Sequence, residues 1–66
     1  MIRVRAIDMR ACLVLMEAYC DTLSDAFFTC LDTDFPDSAP ISIEIKIHKK
    51  ILHFTLDDVY TLYSCM

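Results

Sequence analysis

The stretch ISIEIKIHKKILHFTL, residues 41–56, decides how this chain folds. Ile41, Ile43, Ile45 and Ile47 alternate with Ser42, Glu44, Lys46 and His48, and Leu52, Phe54 and Leu56 then alternate with Ile51, His53 and Thr55. A period of two places one apolar and one polar row on opposite faces of a strand. A turn around Lys49 and Lys50 sets Ile47 opposite Leu52, Ile45 opposite Phe54 and Ile43 opposite Leu56, with Glu44 against Thr55 and Lys46 against His53 on the polar face. A one-residue slip would turn the apolar set to the wrong face, so the pairing is held in phase. Lys-Lys lacks the Asn-Gly or Gly-Gly of a two-residue loop, which favours a loop over residues 48–51.

Outward from the hairpin, Thr55-Leu56-Asp57-Asp58 has the form of a capping box. It predicts a short C-terminal helix carrying Val59, Tyr60, Leu62 and Tyr63, with Asp57 and Asp58 suited to its first turn. Upstream, residues 32–40 read as a loop, because Pro36 and Pro40 forbid helix and Asp34, Asp37 and Ser38 favour turns. Before that loop, Arg10, Glu17, Asp21, Ser24, Asp25 and Asp32 recur at helical spacing. They predict one long helix over residues 9–31, with Asp8 as N-cap and Ile7 and Cys12 at staple positions. Thr22-Leu23-Ser24-Asp25 is a second capping signature and marks an alternative break, but the polar stripe keeps its phase across it. Residues 1–7 alternate, Ile2, Val4 and Ala6 against Arg3 and Arg5, as a short strand; a helix extended back to the N-terminus is the competing reading.

The predicted fold class is α+β: a three-stranded antiparallel-type sheet in the order β-α-β-β-α, with one long helix packed on a face. Residues 1–66 form a single small domain, without linker, low-complexity tract or internal repeat. The apolar arc of the long helix is wider than one thin sheet covers, which predicts a homodimer.

Composition narrows function. The chain is 66 residues long, 56% hydrophobic, with net charge −4 and no glycine. Without glycine there is no P-loop and no dinucleotide fingerprint. No run approaches the roughly 18 apolar residues that span a bilayer, and Asp8 stands where the apolar core of a signal peptide should begin. The expectation is a cytoplasmic protein with no membrane partner. Cys12, Cys20, Cys30 and Cys65 then read as reduced thiols. No pair among them, with His48 and His53, has zinc-finger spacing.

Charge is segregated. Between Ala11 and Ile45 there is no Lys or Arg, while Lys46, Lys49 and Lys50 cluster beside His48 and His53. On the predicted helix, Glu17, Asp21, Asp25 and Asp32 fall on one line that Asp34 and Asp37 continue, a candidate partner-binding face. The hairpin tip, with Lys46, His48, Lys49 and Lys50, is a candidate phosphate contact, aided by Arg3 and Arg5.

The strand-helix-strand-strand-helix order resembles that of the DinI family, small bacterial and phage modulators of the recombinase RecA. Phe35-Pro36-Asp37, between the long helix and the second strand, is similar to a tripeptide of that family. The resemblance would span most of the chain. It departs at the C-terminus, where the family's longer, strongly acidic helix is replaced by Asp57 and Asp58 alone.

With no nucleophile, base and carboxylate brought together, the chain reads as no enzyme, with no catalytic residue, no cofactor and no metal. The expected function is that of a small intracellular accessory protein, a regulator or inhibitor of the kind phages and plasmids encode. It acts by binding an unidentified protein, as a homodimer. The first alternative is a small nucleic-acid-binding dimer using the basic hairpin tip; the second is a thiol or zinc module.

Overall fold

The computed structural model describes residues 1–36 and 39–65. It contains strands β1 (Ile2–Asp8) and β2 (Leu13–Cys20), helix α1 (Leu23–Asp32), strands β3 (Ile41–Ile47) and β4 (Lys50–Thr55), and helix α2 (Leu56–Ser64). The strands form one four-stranded antiparallel sheet in the order β2-β1-β3-β4. The fold is therefore α+β with four strands and two helices, not three strands and one long helix.

The first correction concerns residues 9–31. Only α1 is helical there, and Leu13–Cys20 is a strand. Asp8 does cap backbone N–H groups, but those of a hairpin loop: its Oδ1 accepts from the amides of Arg10 (2.9 Å) and Ala11 (3.3 Å). The same side-chain chemistry serves a helix N-terminus and an Asx turn, so from sequence alone this hairpin turn has the signature of a helix start. On β2, Met16, Ala18 and Cys20 pack towards the core while Glu17 and Tyr19 point away. A register shift opposite Ala6 and Ile7 bends the apolar triplet Leu13-Val14-Leu15 out of simple alternation and hides the strand period. Leu, Met, Glu and Ala are good helix formers, and pairing to β1 overrides that preference.

The real start of α1 is the alternative break. Thr22 Oγ1 accepts from the amide of Asp25 at 3.1 Å. At α2 the box is complete, with Asp58 N–H donating to Thr55 Oγ1 (3.0 Å) and Thr55 N–H donating to Asp58 Oδ2 (3.2 Å). The element order that carried the DinI resemblance is thus not the order of this chain, and Asp37 lies outside the described residues.

The structure also reveals a repeat that residue identities conceal. Each half is a hairpin followed by a helix. β1 and β3 are both seven residues long with the same sequence of burial, their third and fifth residues fully buried. Both helices follow a Thr-Leu-x-Asp cap, Thr22 to Asp25 and Thr55 to Asp58, and in both the next residue, Ala26 or Val59, is fully buried. Antiparallel pairing of β1 with β3 joins the halves, Val4 opposite Ile45 and Ala6 opposite Ile43.

Those four side chains, with Ala26, Phe27, Cys30 and Val59, are the buried core, all on the helix side of the sheet. The Phe27 ring meets Phe54 edge-on at 5.7 Å, a favoured aromatic geometry.

The β3–β4 register differs by two residues from the expected one. Ile47 faces Lys50, Ile45 faces Leu52, Ile43 faces Phe54, Glu44 faces His53 and Lys46 faces Ile51. A shift of two preserves the faces and frees Leu56 to begin α2. It tightens the loop to residues 48–49, and His48 takes φ 56°. Cys12, at the end of the other hairpin loop, takes φ 55°. With no glycine in the chain, both left-handed positions are filled by residues with a Cβ, at a cost on the order of 1 kcal/mol each. His48→Gly should therefore raise stability by about 0.5–1 kcal/mol. Thermal denaturation followed by circular dichroism checks this; an unchanged or lowered midpoint would contradict the strained turn.

Candidate functional site

The sheet has one helix-covered face, one open face and two free edges, and three surfaces stand out. The first is the β2 edge. Among the described residues β2 pairs only with β1, so its outer backbone N–H and C=O groups have no strand partner there. It is eight residues long and carries a single charge, Glu17, and no proline. Leu13, Val14, Leu15 and Tyr19 are exposed by 58, 50, 38 and 61%. The opposite edge, β4, is shorter and guarded. Lys50 stands on its core-facing side opposite Ile47, and His53 on its open side opposite Glu44. Inward-pointing charges are a recognised defence of edge strands, and β2 has none.

The second surface is the open face. Arg5 lies between Glu17 on β2 and Glu44 on β3, its direct partners on either side. Its Nε donates to Glu17 Oε2 at 3.1 Å, and a terminal nitrogen lies 4.0 Å from Glu44 Oε1. Arg3 reaches the same Glu44 oxygen at 3.3 Å, and Tyr19 Oη donates to Glu17 Oε1 at 3.3 Å. Cross-strand charge pairs of this kind contribute roughly 0.2–1 kcal/mol each. Both arginines named as auxiliary phosphate contacts are thus already engaged with carboxylates. Arg3 Nε is buried without a hydrogen-bond partner among the described residues.

The third surface is the hairpin tip, where Lys49, Lys50 and His48 are exposed and Lys46 is half-buried. Among the described residues, none of the three lysines makes an ion pair. Of the sequence-predicted tip, His48, Lys49 and Lys50 line one cavity, while Lys46, paired with Ile51, lies on the opposite face of the sheet from Lys50.

The predicted acidic line is divided. Glu17 is on β2, on the open face; Asp21 is in the turn after it; Asp25 is in the first turn of α1; Asp32 is its last residue; Asp34 follows in the loop. With residues 13–20 in a strand, no single helix face holds all five. Asp37 lies outside the described residues.

All four thiols are free, Cys12 and Cys65 exposed, Cys20 half-buried and Cys30 buried. Burial, reinforced by the neighbouring Cys20 thiol, pushes Cys30 up to about 11. Among the described residues, no three His, Cys, Asp or Glu side chains are grouped to hold a metal ion. Among the described residues, no helix is long and apolar enough to cross a membrane.

Comparison with family models, curated proteins and solved structures finds no match for this chain.

Sequence reasoning missed the β2 edge entirely. The signal that could have found it is the pair Glu17 and Tyr19 alternating with Met16, Ala18 and Cys20, a period of two that the helical stripe outvoted.

The thiols supply a test of the core. At pH 8, iodoacetamide should modify Cys12 and Cys65 within minutes and leave Cys30 untouched until denaturant is added. Because the folded value of Cys30 lies above the usual 9.0, the folded state holds a proton that the unfolded state releases. Cys30 therefore adds stability below pH 9 that is lost as pH rises towards 11. Peptide mass mapping that finds Cys30 alkylated in the native protein would overturn its placement.

Proposed function

We propose that this chain is a small accessory protein that acts by binding protein, first of all a second copy of itself, through the free edge of β2. The observation that supports this reading is an eight-residue, unguarded edge strand with four large apolar side chains exposed along it. Strand addition to such an edge draws affinity from main-chain hydrogen bonds and selectivity from alternate side chains. Two β2 strands running antiparallel about a two-fold axis present the same patch to each other, which is the geometry of a closed dimer. The two sheets then continue as one of eight strands, with β4 at both outer ends. Lys50 and His53 would hinder further addition there.

In this reading the protein performs no catalysis. It works as a regulator or inhibitor does, by occupying a surface. The apolar excess that predicts a dimer from the sequence falls in residues 9–31, and of the large side chains exposed there Leu13, Val14, Leu15 and Tyr19 lie on β2, with Met9 in the loop before it and Phe28 on α1.

Sedimentation equilibrium tests the reading. The chain of 7.6 kDa should sediment as a dimer at micromolar concentration. Leu15→Lys together with Tyr19→Lys should return it to the monomer mass with an unchanged circular dichroism spectrum, since both side chains are already exposed. A wild-type monomer at every concentration up to about 100 μM, a Kd weaker than roughly 5–6 kcal/mol of association, would defeat the proposal.

A further inference from the structure

The helix layer does not reach the hairpin end of β3 and β4. Leu52 faces the same side of the sheet as the buried Ile45, its direct partner, yet it is 41% exposed. Ile47, the last residue of β3, is only partly buried. Together with His48, Lys49 and Lys50 they line an open, apolar-floored cavity of about 500 Å³. That volume is in the range of small-molecule sites.

Four features of this place point to one kind of occupant. The floor is aliphatic, from Ile47 and Leu52 and the alkyl stems of the lysines. Among the described residues, the lining includes two lysines and no carboxylate, in a chain of net charge −4. Neither lysine is engaged in an ion pair among the described residues. The turn that shapes the rim holds His48 at φ 56°, and such strain recurs at ligand-holding positions.

We propose that the hairpin end of β3–β4 is a binding site for a small amphiphilic anion of the medium-chain carboxylate class, its chain on Ile47 and Leu52 and its head group between Lys49 and Lys50. A nucleic acid fits the ammonium groups but not the floor, because no aromatic ring lines it for a base to stack on. A flat anionic bilayer would meet the ammonium groups and leave the concavity unfilled. The site is independent of the β2 edge, which lies at the other end of the strand order.

The test is a titration of the isotope-labelled protein with decanoate below its micellar concentration, followed by amide chemical shifts. Shifts should cluster at residues 47–52 with a Kd below about 1 mM. Lys49→Glu with Lys50→Glu should weaken binding by about tenfold or more. Leu52→Asp should abolish it, with thermal denaturation confirming that each variant is folded. Decanol, equal in chain and without charge, should bind about tenfold more weakly. The proposal fails if decanoate leaves these amides unmoved, if decanol binds equally well, or if the charge-reversed variant keeps its affinity. It fails equally if only a single-stranded oligonucleotide or phosphatidylglycerol vesicles shift the hairpin.

Discussion

Four side chains at the middle of the sheet hold the molecule together. Val4 and Ala6 of β1 lie opposite Ile45 and Ile43 of β3, and all four are fully buried. This is the pairing that unites two hairpin-and-helix halves otherwise separated by residues 33–40. Closing a connection of that length before its contacts form costs entropy, and the four apolar residues offset it by burial on both sides of the seam. The helices depend on the same seam. Ala26 and Phe27 of α1 and Val59 of α2 bury themselves against it, and a helix of nine or ten residues is marginal without such packing.

A central pair built this way places β2 and β4 at the edges, and the two halves then differ where they matter for function. The second half places Lys50 and His53 along its edge strand, while the first places Leu13, Val14, Leu15 and Tyr19 there. The repeated architecture makes the contrast informative. Both edge strands expose apolar side chains, Ile51 and Leu52 on β4 by 48 and 41%, but β4 sets Lys50 and His53 among them while β2 carries Glu17 alone.

Much of the fold was legible because some residues admit one reading. The isoleucine alternation at residues 41–47 has no helical interpretation, and β3 lies where it predicts. The alternation of Ile2, Val4 and Ala6 points to β1, but over so few residues it leaves a helix extended back to the N-terminus as a competing reading. Thr55 with Asp58 marks α2 because the cap is read from neighbours three apart, with no tertiary information. Residues 13–20 were illegible for a physical reason. Their strand state rests on pairing to β1, and their composition suits a helix. The hairpin register was illegible because shifts of two leave every face unchanged, and the choice falls to a left-handed His48 that no propensity favours. Of the candidate sites, the basic tip was readable as a run of lysines, but its apolar floor follows from where the helices stop.

The central claim is that the outer edge of β2 is a self-pairing surface. Amide hydrogen exchange across β2, measured at two protein concentrations a hundredfold apart, tests it most directly. At the higher concentration the outward-pointing amides of Leu13–Cys20 should become protected while the inward ones, already bonded to β1, change little. Outward amides that exchange equally fast at both concentrations would contradict the account.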